Sequence, residues 1–471
     1  MPMVPCSLQS DRTAQGARAT LVCRLLACFV AASLMKPVVA QTVPATSLMS
    51  NTDGISYEVS AGIRASDNYA RTADAVSGAM VSAGFALDAL RRTGRLQYDG
   101  GGDLALVHYF NGNFGSEVLG KFDMKSDYAV SPELFHWVLH ENFGQVVKDY
   151  FAAPGPQNRQ YLNTFSTGPD VRLQLGAAGD LRLSGRYGRD DYQSSGYSAR
   201  HLGGEAALER RPTPNILLDL GASTDKVDYF EQFAKPGNFQ LRKYFAGYQF
   251  GGRVSTLNLV GGYADTVGGL AQLRGAVGRI DIERRLTASS LLSVGVRRDL
   301  QTVTEGSRAS DYVPGAAGFS TAAILTGSLY FSETAEIGFT HRKPRTSFSA
   351  WADYVRETDH RDVRPDRNAK VIATRLTHKL TPLSEMALSA TWTRELLKNA
   401  VIPGFPVGDY RSTERAIAIT YRKRMTRVLF MAIDLTNSRR QAIIQPFTEN
   451  AIWVRLGYSP HFVNLAGRYN Q

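Results

Sequence analysis

Cysteine is nearly missing from this chain. Its 471 residues include three: Cys6, Cys23 and Cys28, all near the amino terminus. A disulfide scaffold is thereby excluded, and so is a cysteine-rich metal fold. Long apolar runs are also missing. A polytopic helical membrane protein needs several stretches of about 20 apolar residues, and only one segment comes near that length. Blocks of like charge are absent, although the total is +11. A nucleic-acid patch is therefore not expected. Aromatic residues are plentiful at 10%, and net charge per residue is low, which excludes a disordered chain. The nucleophile-elbow, phosphate-loop and zinc-helix patterns do not occur either. His140-Glu141 lacks the second histidine that a zinc site on a helix requires. No catalytic residue, resident metal or cofactor is expected, and the chain is read as a non-enzyme.

The amino terminus has the layout of a secretory signal. Arg12, Arg18 and Arg24 precede an apolar core from Leu25 to Met35, and Val38-Val39-Ala40 supplies a cleavage site. Lys36 and Pro37 close that core too early for an anchoring helix. Leu25-Leu26-Ala27-Cys28 imitates a lipoprotein box, but the apolar run follows it instead of preceding it. Residues 1–40 are thus expected to be a signal peptide and 41–54 a short periplasmic segment. The signal holds Arg12, Arg18, Arg24, Lys36 and Asp11, so +8 of the total +11 belongs to the mature chain.

The dominant period beyond Gln41 is two. Ile55, Tyr57, Val59, Ala61 and Ile63 share one face, while Ser56, Glu58, Ser60, Gly62 and Arg64 share the other. Leu181 and Leu183 oppose Arg182, Ser184 and Arg186 in the same way. So do Leu292, Val294 and Val296 against Ser293 and Arg297, and Ile337 and Phe339 against Glu336 and Arg342. Period two marks strands with one apolar and one polar face. Many run well beyond the 5–6 residues usual in soluble sheets, to the length a tilted strand needs to cross a bilayer. A helical piece is expected only near Gln145 to Phe151.

Short polar connections recur at Arg92-Thr93-Gly94, Ser131-Pro132-Glu133, Ala178-Gly179-Asp180, Pro212-Thr213-Pro214 and Gly251-Gly252. They continue at Leu286-Thr287-Ala288, Lys343-Pro344-Arg345, Thr381-Pro382-Leu383 and Met425-Thr426. Longer connections intervene, such as Gln301 to Gly318 and Lys398 to Tyr410. Short turns on one side and long loops on the other are the asymmetry of an outer-membrane barrel, with the short turns periplasmic. Counting strand pairs predicts an all-β, up-and-down antiparallel transmembrane barrel of about 20 strands, within 18–22, over residues 55–471. Tyr57, Tyr69, Tyr187, Tyr192, Tyr263, Tyr354, Trp392, Tyr421 and Tyr458 are expected in the interfacial girdles.

The stretch Asn163 to Tyr192, with Gly54-Ile55-Ser56-Tyr57, Asp67-Asn68-Tyr69 and the basic-apolar-Thr turns (such as Arg285-Leu286-Thr287), resembles a known family. It is the outer-membrane barrel family associated with exosortase and PEP-CTERM sorting systems in exopolysaccharide producers. The resemblance implies an outer-membrane barrel beside polysaccharide genes, with no established reaction. Tyr469-Asn470-Gln471 departs from the aromatic ending usual for such barrels, though Val463, Leu465 and Tyr469 suit an outward face.

The functional handle is then the polar face. Arg64, Arg182, Arg186, Arg297 and Arg342 are candidate lumen-lining residues, with Glu58, Glu205, Asp219 and Asp353. Guanidinium groups in a wet lumen favour anions, including acidic or phosphorylated glycans. The competing expectation is that these charges pair across strands and stiffen the wall. His108, His136 and His140 are expected to bond to neighbours, not to a metal. Three functions stay open: an anion- or glycan-permeable channel tied to exopolysaccharide or exported proteins, an anchoring barrel binding surface polysaccharide, or a lipid- or glycan-modifying enzyme. Expected partners are outer-membrane lipid and lipopolysaccharide, the barrel-assembly machinery, exopolysaccharide secretion proteins and acidic glycan.

Overall fold

The computed structural model describes residues 53–460, apart from 111, 113, 149–151, 154, 177–178, 195–196, 232–236, 270–271, 303–328, 359–364 and 401–404. The expected signal peptide and the terminal Val463, Leu465 and Tyr469 lie outside the described residues.

The first five strands are β1 Gly54–Ser66, β2 Gly78–Arg91, β3 Leu96–Tyr109, β4 Glu117–Ser131 and β5 Phe135–Val147. Next come β6 Arg159–Gln174, β7 Gly179–Tyr192, β8 Ala199–Thr213, β9 Ile216–Tyr229 and β10 Phe239–Gly251. Then follow β11 Ser255–Gly268, β12 Arg274–Thr287, β13 Ser290–Gln301, β14 Tyr330–Arg342 and β15 Thr346–Thr358. The last are β16 Asp366–Thr381, β17 Ser384–Ala400, β18 Gly408–Arg424, β19 Leu429–Ala442 and β20 Phe447–Tyr458. Every strand pairs antiparallel with its chain neighbours, and β20 pairs back onto β1. The protein is a closed 20-stranded transmembrane barrel, as the turn spacing predicts.

Closure explains how so long a sheet is stable in lipid. Hydrocarbon offers no partner to a backbone N–H or C=O, and a closed ladder leaves none unpaired along an edge. Strands of 12 to 17 residues rise about 3.3 Å per residue and tilt by roughly 40°, enough to span the hydrocarbon. Their outward faces are apolar. Ile63, Leu106, Leu202, Leu220, Ile337, Ile417 and Leu456 all stand exposed on the outside. A soluble protein would bury such a band; here lipid covers it.

Short turns gather at one end. Asp53 is tied there, because the Thr93 hydroxyl and the Arg92 N–H donate to its carboxylate. The hydroxyl bond, then the backbone bond, hold this carboxyl below its usual range. Gly94 takes a left-handed φ of 86° in the same turn, which a side chain would oppose.

Several local expectations are corrected. Gln145 to Val147 continue β5 as strand, not helix, because their backbone is held by Arg159, Gln160 and Tyr161 of β6; residues 149–151 lie outside the described residues. Tyr69 and Tyr192 are not girdle residues. Tyr69 packs with Met80, Val107 and Tyr109, and Tyr192 with Val146 and Leu162. Gly179 and Asp180 open β7 instead of forming a turn.

The two faces predict opposite responses to charge. Ile337→Arg, at the middle of β14, should destabilise the barrel by about 2–4 kcal/mol, and the inward Thr391→Arg by under about 1 kcal/mol. Urea unfolding in lipid vesicles measures both; equal costs would mean the faces are wrongly assigned.

Candidate functional site in the barrel lumen

The lumen is walled by small and charged side chains, and the charges are organised in pairs. On β6–β8, Arg186 reaches Asp170 at 2.5 Å, while Arg182 reaches Glu205 at 2.6 Å and Glu209 at 3.4 Å. Arg172 joins Glu209 at 3.1 Å. On the opposite wall a ribbon of alternating sign crosses several strands near the long-loop end. Arg367 sits between Glu357 at 3.1 Å and Glu395 at 2.8 Å. Glu414 lies opposite Arg440 in register. Glu449 then accepts from Arg64 and Arg71, both at 2.8 Å, and from the Ser66 hydroxyl at 2.9 Å. Burial makes charges costly unless they are paired and hydrogen-bonded. Arg367 and Glu449 are 3% and 2% exposed; Arg367 has two carboxylate partners and Glu449 three donors.

One pair reaches over intervening strands. Arg422 of β18 bonds Glu58 of β1, with β19 and β20 between them. Its guanidinium lies 4.0 Å from the centre of the Phe430 ring. Phe430 in turn lies across Gly457 of β20, where a Cβ would meet the ring at 2.2 Å. Glycine at 457 therefore lets the ring lie flat, and the ring carries the guanidinium across to Glu58. The β1–β20 seam runs from Val59–Tyr458 to Ser66–Ala451. Glu58–Arg422 braces its short-turn end and the Glu449 cluster its long-loop end.

The long-loop mouth is narrowed by the chain itself. Leu300, Leu329 and Phe331 pack against Val227, Phe239, Leu241 and Ala264. Across the mouth, the Ala153 N–H donates to the Gln445 side chain at 2.9 Å and the Gln157 amide to the Ala70 carbonyl at 3.3 Å. The β5–β6 connection thus touches the connections flanking the seam. Gln445 and Arg71 both hold left-handed backbones, with φ of 47° and 56°. Left-handed residues other than glycine carry strain, which marks contacts that the surroundings enforce.

The five arginines singled out from sequence do not converge. They stand on β1, β7, β13 and β14. Arg64, Arg182 and Arg186 are ion-paired as described. Arg297 has no carboxylate within ion-pairing distance among the described residues and faces Arg279 in register. Arg342 lies at the short-turn end, its Nε buried. Of the three histidines, His136 binds Asp127 at 2.7 Å and His140 binds Asp123 at 2.9 Å. His108 contacts Ser116 at 3.1 Å. Among the described residues no cluster is able to hold a metal ion.

Sequence reading missed His201. It bridges Asp190 at 2.8 Å and Asp225 at 3.0 Å, linking β7, β8 and β9 on the lumen side. The parity of Leu202 was the available signal, since an exposed Leu202 turns His201 inward.

No family model matches this chain, and no curated protein matches it. Solved structures do show likeness. The siderophore receptor PirA from Pseudomonas aeruginosa is 12% identical with a TM-score of 0.43, over 88% of this chain and 81% of that one. The FrpB iron transporter from Neisseria meningitidis (F3-3 variant) is 8% identical with a TM-score of 0.43, over 86% and 81%. The copper transporter OprC is 9% identical with a TM-score of 0.42, over 87% and 81%. The barrel assignment rests on the strand pairing of this chain alone.

The brace across the seam is testable. Arg422→Leu strands a buried carboxylate and should cost about 3–5 kcal/mol, while Glu58→Leu with Arg422→Leu should recover most of it. Unfolding in detergent reads both; a double variant as weak as the single one would disprove the pairing.

Proposed function

We propose that this protein is an outer-membrane transport barrel that handles anionic, polar solutes at the cell surface. Its apolar exterior and charged interior on a closed 20-stranded wall carry the reading. Barrels of about 16–18 strands already leave an aqueous channel, so this wall encloses room for one. The short turns face the periplasm and the long loops the outside. The resemblance to the exosortase-linked barrels supports acidic exopolysaccharide, or proteins exported with it, as the cargo. Barrel-assembly machinery and polysaccharide secretion proteins are the corresponding partners. The wall would act through its guanidinium groups, which match carboxylate and phosphate geometry.

A second reading is favoured by one observation. Most described lumen charges are paired, and packed side chains narrow the mouth. An anchoring barrel that binds polysaccharide through its loops needs no open path.

Planar-bilayer recording separates the two. The transport reading predicts discrete anion-preferring openings. Gln445→Ala, which releases Ala153, should raise the open fraction several-fold. Arg297→Ser should lower the anion-to-cation permeability ratio by about twofold or more. A silent barrel in both wild type and Gln445→Ala would favour the anchor instead.

A further inference from the structure

The outside of the barrel carries a feature that the lumen does not explain. On β16–β19 four cations occupy lipid-side positions. Lys370 faces Arg394 across the β16–β17 pair, and Arg415 faces Arg439 across the β18–β19 pair. Arg394 is opposite Thr413, two residues from Arg415, so these two groups are diagonal neighbours. Like charges directly opposed destabilise a sheet, yet the motif occurs twice side by side. Arg394, Arg415 and Arg439 have no carboxylate within ion-pairing distance among the described residues, and all are exposed. Outward carboxylates on these strands stand farther up, at Asp366 and Asp409. Matters differ on β13–β15, where Glu333 sits 3.4 Å from Arg298 and 3.7 Å from Arg356.

The depth of the patch is marked by an aromatic. The Lys370 ammonium lies 5.9 Å from the ring centre of Tyr354, which stands four residues from the long-loop end of β15. Trp and Tyr at strand ends mark the headgroup layer. Immediately below lies a groove of about 540 Å³ across β18, β19, β20 and β1, lined by Ala65, Ile417, Ile419, Leu435 and Ile452. Ile417 is two residues below Arg415, and Leu435 four below Arg439, on the same faces. Its upper edge is polar: Asn437 donates to Asn450, which donates to Asp67, both at 2.7 Å. Small Ala65 between the larger apolar groups makes the concavity.

We infer that this face is a binding site for a phosphorylated, acylated glycolipid of the outer leaflet, the lipid A class. Its phosphates neutralise Arg394, Arg415 and Arg439 at headgroup depth, and one acyl chain lies in the groove beneath. Charge complementarity selects this occupant: an uncharged lipid would leave opposed guanidinium groups facing each other, and a free anion would leave the groove unfilled. Arginine suits the task because its planar fork binds phosphate through two hydrogen bonds. The site needs only that the barrel spans the membrane, so it stands whether or not the lumen conducts.

Native mass spectrometry of the full-length mature protein in detergent tests it, with bisphosphorylated lipid A and fully dephosphorylated lipid A as probes. Wild type should retain the bisphosphorylated form at least tenfold better. The combined Arg394→Gln, Arg415→Gln, Arg439→Gln variant should lose that preference, and Arg298→Gln with Arg356→Gln should keep it. Leu435→Trp, which fills the groove, should lower retention of both probes several-fold. Four results would overturn the site: no preference in wild type, full preference in the triple variant, equal loss in the β13–β15 variant, or displacement of lipid A by equimolar inorganic phosphate. The wild-type comparison needs no substitution, so a misfolded variant does not shelter the proposal.

Discussion

Everything in this molecule follows from the demand that a sheet in hydrocarbon must close on itself. An open sheet of this size would leave two rows of unpaired backbone groups in lipid, at several kcal/mol for each group. The β1–β20 seam meets that demand, and it joins segments almost 400 residues apart in the chain. Such a contact forms at a high entropic cost. Its inner face is accordingly braced at both ends, by Glu58–Arg422 and by the cluster on Glu449. Gly457 is the small feature on which the first brace depends, because any side chain there would displace Phe430.

Closure also sorts the charges into two populations with different chemistry. Inside, Arg182, Arg186 and Arg367 each have carboxylates in reach, so the wall is largely self-neutralised and stiff. Arg297 stands apart as a lumen cation without such a partner among the described residues. Outside, on β16–β19, cations oppose cations, and Arg394, Arg415 and Arg439 have no carboxylate within ion-pairing distance among the described residues. One fold thus presents a compensated interior to solute and an uncompensated collar to lipid.

The architecture was legible because its signal is local. Alternation between Ile55 and Arg64 needs only period two, and Arg92-Thr93-Gly94 or Lys343-Pro344-Arg345 needs only turn chemistry. The pairs inside the lumen were not legible, since nothing near Arg422 in sequence points to Glu58, 364 positions away. Tyr192 reads as a girdle aromatic only if its parity is ignored, since it shares the inward parity of Arg182 and Arg186. It packs with Val146 and Leu162, while Tyr69 lies past the end of β1 and packs with Met80 and Val107. Gln145 to Val147 carried a weak helical pattern that the β6 ladder overrode. The collar was readable in principle, as Arg394, Arg415 and Arg439 share parity with Trp392, Ile417 and Leu435. Only the register shows that they meet.

The closed seam is most directly probed by a cross-link. Ala61 and Leu456 are partners in register across β1 and β20, and residues 41–471 contain no cysteine to compete. In the folded, membrane-inserted protein carrying Ala61→Cys and Leu456→Cys, mild oxidation should give a monomeric, internally bridged species, since paired antiparallel residues lie within disulfide range. Failure to bridge, or bridging only between molecules, would contradict a cylinder closed by its first and last strands.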